Sequence, residues 1–163
     1  SVSAISLMAE IAAWAKEKGL DMNAMLIDIY MTYGYSKEKG VSLVRKGKSG
    51  AEEIQAIMKQ FRENPPKSIA GSPVVTVKDF ATLEQKNIAA GTVEKLVMPT
   101  TSNVLQYYTE DGTKISIRPS GTEPKIKFYI EVHGTLESAE KYDETNAAAE
   151  AKIARICKEL GID

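Results

Sequence analysis

At 163 residues, with 43% hydrophobic and 26% charged residues, the chain has ordinary globular composition and the length of one domain, or of one domain with an attached piece of another. A net charge of −1 gives no basic field for nucleic acid or an acidic membrane, so any anion must be held by local groups. No apolar run approaches the ~20 residues of a membrane span, and no signal peptide is expected before Ser1. A single cysteine excludes an internal disulfide and fits a reducing, cytoplasmic compartment. The chain begins without Met and enters straight into a helical pattern, as a fragment of a longer protein would.

Ile5, Met8, Ile11, Ala12 and Ala15 recur at helical steps and predict an amphipathic helix stopped by Gly19. Asp21 is placed to cap a second helix, with Met25, Ile29, Tyr30 and Tyr33 on one face and Gly34 at its end. These two helices cannot bury both stripes by themselves and need a partner surface. A short strand is predicted from Gly40 to Lys46. Ser49-Gly50-Ala51-Glu52 has capping-box spacing and opens a helix that buries Ile54, Ile57, Met58 and Phe61, ending before Pro65-Pro66. Gly47-Lys48-Ser49 has the wording of the end of a nucleotide P-loop, but the required first glycine would fall at Ser42, which removes that reading. Pro73 to Lys78 is a valine-rich strand. Residues 79–102 mix helix-like and strand-like pieces, with Val93 to Met98 as one short strand candidate.

Asn103 to Thr109 is another strand, and Asp111-Gly112 gives a hairpin signal into Lys114 to Arg118. Ile126, Phe128, Ile130 and Val132 alternate with polar residues and mark a further strand. Gly134-Thr135 is then expected to open a terminal helix with Ala139, Tyr142, Asn146, Ala149, Ile153, Ile156 and Leu160 on its stripe, ended by Gly161. From residue 40 the order predicts an α+β fold, an antiparallel sheet with helices packed on one face, preceded by a short helical segment. The expected boundary separates residues 1–36 from residues 37–163. The other sheet face, carrying Lys114, Ser116, Arg118, Lys127 and Tyr129, is left open to a neighbour or a ligand.

The chemistry concentrates at Arg118-Pro119-Ser120-Gly121-Thr122-Glu123-Pro124-Lys125-Ile126-Lys127. Parity puts Arg118 opposite Ile115 and Ile117, and Lys127 opposite Ile126 and Phe128, so in an antiparallel pair both cations point away from the core at the two feet of the loop. Ser120 and Thr122 supply hydroxyl groups, and Gly121 permits close backbone approach. Small residues, hydroxyls and flanking cations suit a phosphate. The residues alone are equally served by a hairpin loop with turn-forming Pro and Gly and two solvated cations.

The wording of this loop resembles the phosphate-binding loop in the last domain of the α-D-phosphohexomutases, the phosphoglucomutase and phosphomannomutase family. The resemblance extends to Asn103-Val104-Leu105 and Phe128-Tyr129-Ile130. Upstream it covers Tyr33-Gly34-Tyr35, Lys46 to Glu52 and Phe61 to Pro66, nearly the whole chain. It implies a C-terminal domain with a fold of the TATA-box-binding-protein type, preceded by the tail of a third domain. It also implies an isomerase that moves a phosphoryl group between the 1 and 6 positions of a hexose phosphate, by way of a phosphoserine and a bisphosphorylated sugar. Arg118, Ser120, Gly121, Thr122 and Lys127 match the positions that hold the phosphate not being transferred. Lys127 keeps the charge of the family's Arg or Lys but lacks the guanidinium fork. The resemblance places the serine loop, the Mg2+ ligands and the sugar-recognition loop upstream of Ser1, so this chain holds no catalytic or metal-binding residue and is expected to be inactive alone. Its partners would be a hexose phosphate and the other domains of the same chain, with no nucleic acid and no membrane. Which sugar is bound is not readable.

His133, the lone histidine, falls at a strand end on the open parity, with no nucleophile or orienting partner in view, and reads as a surface residue. Cys157 sits on the terminal helix stripe as a small core residue. Lys125 could add charge to the loop or pair with Glu123. The rival function is a non-catalytic anion-binding or nucleic-acid-binding module using the same sheet. Net charge and the lack of an aromatic stacking platform count against it.

Overall fold

The computed structural model describes residues 9–11, 13, 14, 16, 17 and 21–163. Those described before Asp21 are helical, whereas Ile5, Met8, Ala12, Ala15 and Gly19 of the predicted first stripe lie outside the described residues. From Asp21 the order is α1 (Met22–Tyr33), β1 (Tyr35–Val44), α2 (Gly50–Glu63), β2 (Ser68–Ile69), β3 (Ser72–Asp79), β4 (Glu84–Asn87), β5 (Thr92–Lys95), β6 (Leu105–Thr109), β7 (Lys114–Pro119), β8 (Lys125–Gly134), a 3-10 turn (Ala139–Lys141) and α3 (Tyr142–Leu160). Two compact units result, Ser1–Ser36 with Gly134–Ala147, and Lys37–His133 with Ala148–Asp163.

In the first unit Asp21 caps α1 as the sequence predicts, its carboxylate accepting from Asn23 N at 2.9 Å. Gly34 ends the helix at φ 97°, a conformation only glycine adopts readily, and its N–H donates to Tyr30 O at 2.9 Å. The Tyr30 ring stands edge-on to Tyr35 at 5.0 Å and stacks on Tyr142 at 6.2 Å. Tyr33, expected on the inner face, is 85% exposed because it ends the helix beyond the turn that Tyr30 covers. The terminal helix also starts later than predicted. Residues 135–138 are irregular, and Ser138 is extended at φ −157° and ψ 161°. Leu136 is buried from this irregular backbone, so its burial owes nothing to helical spacing.

The second unit holds most of an eight-stranded sheet in the order β1-β8-β7-β6-β3-β4-β5, with β2 paired to β3. The pairings from β2 to β8 are antiparallel. β1 runs antiparallel to β8 as well, since Arg45 N donates to Pro124 O and Gly40 lies against Tyr129. β1 begins at Tyr35, five residues before the predicted Gly40. Its first half is hidden in the sequence because Lys37 occupies a helix-facing position, where its ammonium pairs with Glu150 of α3 at 2.9 Å.

The buried rows are those of the alternation. Ile115, Ile117, Ile126, Phe128 and Ile130 are fully buried and Val132 nearly so. Phe61 of α2 meets Phe128 edge-on at 5.6 Å, and Tyr107 Oη donates to Phe61 O at 2.5 Å. Ile54 and Met58 of α2 and Ile153, Ile156 and Cys157 of α3 complete the core, and burial pushes the Cys157 thiol pKa up. The expected capping box is not made. Ser49 precedes α2 in a helical rather than extended conformation, so its hydroxyl donates to Glu53 at 3.0 Å and Glu52 plays no reciprocal part.

Candidate functional site: the loop between β7 and β8

β7 and β8 pair in a register that sets Ile117 opposite Phe128, Arg118 opposite Lys127 and Pro119 opposite Ile126. The loop is then closed by Ser120 N donating to Lys125 O at 2.8 Å. Arg118 and Lys127 are both exposed on the face away from the helices. Among the described residues neither side chain makes a hydrogen bond or an ion pair. The sequence places both cations at the feet of the loop; the register makes them direct neighbours.

Inside the loop the Ser120 hydroxyl accepts from Thr122 N at 3.4 Å and Glu123 N at 3.3 Å, two long bonds that curl the chain around it. Its own proton remains available for donation. A Cβ built on Gly121 meets nothing within 4 Å, so the loop tip is open. Thr122 is exposed beside it. Lys125 is paired with Glu123 at 3.1 Å, which takes up the charge of both and leaves Arg118 and Lys127 as the free cations of the loop among the described residues.

Three further open-face residues could not be assigned from sequence. Lys78 and Lys114 stand over the Tyr108 ring at 4.9 and 5.7 Å, and Tyr108 Oη donates to Gln106, whose amide donates to Ser116 Oγ. Lys78, Gln106 and Tyr108 come from β3 and β6, whose mutual register is non-local, so neighbouring residues gave no signal. Tyr129, opposite Ser116, is 48% exposed. His133 has a partner that the sequence did not suggest, Glu131 at 2.9 Å, two residues back on the same strand face. Among the described residues no group of three or more His, Cys, Asp or Glu side chains could hold a metal ion, so Mg2+ has no fitting donor set there. Two free cations, hydroxyls and an open loop are equipped to hold an anion.

The sequence model described as "Phosphoglucomutase/phosphomannomutase, C-terminal domain" matches residues 38–149. A phosphoglucomutase of Staphylococcus saprophyticus is 32% identical over 145 residues, covering 88% of this chain and 26% of that protein. A phosphoglucomutase of Staphylococcus aureus is 35% identical over 130 residues, covering 80% and 23%. The chain thus spans about a quarter of the length of the curated relatives it matches. Among solved structures, the phosphoglucomutase pp63/parafusin from Paramecium superposes with a TM-score of 0.40 at 16% identity, covering 88% of this chain and 25% of that one. With the family's C-terminal domain matched over more than half its length, this chain belongs to the phosphoglucomutase/phosphomannomutase family.

Proposed function

We propose that the loop of residues 118–127 anchors the phosphate of a hexose phosphate that is not being transferred, within a phosphohexose mutase that moves a phosphoryl group between two positions of the sugar. The observation that carries this is the direct pairing of Arg118 with Lys127 on the open face, without competing carboxylates among the described residues. Arg118 offers a bidentate fork, Lys127 a point charge, and Ser120, Gly121 and Thr122 supply hydroxyl or amide donors to the same dianion. The part these residues play is positioning. In this reading residues 1–36 are the tail of a preceding domain and residues 37–163 the phosphate-binding domain. The phosphoryl-carrying serine and the Mg2+ ligands belong to other domains of a longer cytoplasmic enzyme, whose partners are those domains and the sugar phosphate.

Titration of the chain with glucose 1-phosphate and glucose 6-phosphate, followed by its amide resonances, tests the assignment. Shifts should centre on residues 118–127, saturate, and be absent with glucose. Phosphate-independent or dispersed shifts would remove it. A second reading, a module binding nucleic acid or another extended anion, is favoured by one observation: Lys78 and Lys114 gather over Tyr108, on the face where Tyr129 is exposed. It requires an oligonucleotide to shift Tyr108 and Tyr129 together with the loop.

A further inference from the structure

The segment Lys46-Gly47-Lys48-Ser49-Gly50 fits neither motif its wording suggests, since the P-loop lacks its first glycine and the capping box is not formed. Its structural role is contact with the loop. Gly50 is buried at the start of α2. A Cβ built on it would stand 2.4 Å from Arg45 O, 3.2 Å from Arg45 C and 3.1 Å from Pro124 Cβ. The first two atoms are backbone and the third belongs to a proline ring, so none can rotate aside. The φ of Gly50 lies outside the left-handed region. The position therefore demands room, not an unusual backbone angle.

The crowded groups are joined to each other and to the loop. Arg45 N donates to Pro124 O at 2.9 Å. Pro124 is followed by Lys125, whose N–H donates to Glu123 O and whose carbonyl accepts from Ser120 N, both at 2.8 Å. From there one cross-strand pair, Pro119 with Ile126, leads to Arg118 with Lys127. A side chain at position 50 would thus press on the C-terminal limb of the loop, through neighbours that cannot yield separately.

We propose that Gly50 is a positioning residue for anion binding. The bare start of α2 seats against Arg45 and Pro124, and this seat fixes the limb of the loop that carries Lys127 relative to the one that carries Arg118. It rests on the phosphate-anchor reading and adds to it a residue that touches no ligand. A methyl group at position 50 displaces the Arg45 peptide or Pro124 while leaving the buried rows of β7 and β8 intact.

The test is Gly50→Ala in the chain, with glucose 6-phosphate titrated as above. The dissociation constant should rise roughly tenfold, about the loss of one charge-assisted bond when the two limbs no longer reach the phosphate together. Amide shifts in the unliganded protein should be confined to residues 45–50 and 119–127. Val77→Ala, a buried site on β3, is the stability control: it should lower the thermal midpoint and leave the dissociation constant alone. In an Arg118→Ala background Gly50→Ala should weaken binding by much less than tenfold, because the pair of limbs it aligns is already broken. Should Gly50→Ala not fold, Pro124→Gly removes the packed Cβ from the other side and should raise the dissociation constant several-fold. Wild-type affinity in Gly50→Ala, or a full loss on top of Arg118→Ala, would overturn the proposal. Indifference of binding to Arg118→Ala would instead remove the phosphate-anchor reading beneath it.

Discussion

Replacing Asp111 by alanine removes the acceptor on which the β6–β7 turn is built. Asp111 Oδ1 accepts from Thr109 Oγ1 at 2.5 Å, Thr113 Oγ1 at 2.8 Å and Thr113 N at 3.1 Å, and Oδ2 accepts from Lys152 Nζ of α3 at 2.6 Å. Thr113 is 0% and Thr109 4% exposed, so their hydroxyls cannot turn to water when the carboxylate is gone. The Asp111 side chain itself is 39% exposed, which screens its pairing with Lys152 and makes that share small. The orphaned buried hydroxyl groups dominate, at about 2 kcal/mol. For a chain of this length that is a fall in thermal midpoint of roughly 4–8 °C, measurable by calorimetry. Partial burial alone would raise the Asp111 pKa, but the hydrogen bonds from Lys152, Thr109 and Thr113 outweigh it and hold the carboxyl well below its ordinary value of 3.8. Its folded pKa is therefore depressed, so its stabilisation is present above pH 3.8 and is lost as pH falls through the folded value. The stability gap between wild type and Asp111→Asn should be flat near neutrality and close in acid. A midpoint loss below about 1 °C for Asp111→Ala, or a gap that widens in acid, would refute the reasoning.

The other expected outcomes concern the loop, the core and turnover. Arg118→Ala should weaken hexose phosphate binding by about one to two orders of magnitude, the equivalent of ~1.5–3 kcal/mol for a charge-assisted bond, with Arg118→Lys recovering part and His133→Ala changing little. Tyr107→Phe removes the bond to Phe61 O and should cost about 1 kcal/mol in denaturant unfolding. Burial raises the Tyr107 pKa above 10.0, so ultraviolet titration should find its phenol ionising after the exposed tyrosines, and stability should decline as pH climbs past 10.0. The chain by itself should convert no glucose 1-phosphate to glucose 6-phosphate in a coupled assay, and measurable conversion would place catalytic groups here.

What was legible in the sequence was whatever one face of a strand or helix buries. Ile115, Ile117 and the row from Ile126 to Val132 announced β7 and β8 because their period of two is unbroken, and the parity of Arg118 and Lys127 followed. β4 was invisible for the complementary reason, since Glu84–Asn87 is exposed or half-buried and carries no apolar alternation; β5, at Thr92–Lys95, overlaps the strand candidate from Val93 to Met98 but starts one residue earlier and ends three residues sooner. β1 was truncated where Lys37 took a helix-facing position. In the loop, residue types pointed to an anion site. The Ser120 hydroxyl bonding its own loop and the Lys125–Glu123 pair depend on backbone curvature that no spacing encodes.

The pairing of Arg118 with Lys127 is unfavourable as a piece of folding. Like charges directly opposite on neighbouring strands destabilise a sheet by some tenths of a kcal/mol up to ~1 kcal/mol. The register that imposes this is fixed from the other face. Ile126, Phe128 and Ile130 are fully buried and Val132 is 1% exposed. Each contributes about 1.5–3 kcal/mol of burial, and a slip of one residue would turn Lys127 inward and Phe128 outward. Several apolar side chains thus outweigh the repulsion of one cationic pair many times over. A local conflict held in place by strong packing, with both charges exposed and unsatisfied among the described residues, is what a preorganised anion site requires. In the proposed reading a bound dianion would relieve this repulsion, and its affinity would draw on free energy stored by the core beneath the loop.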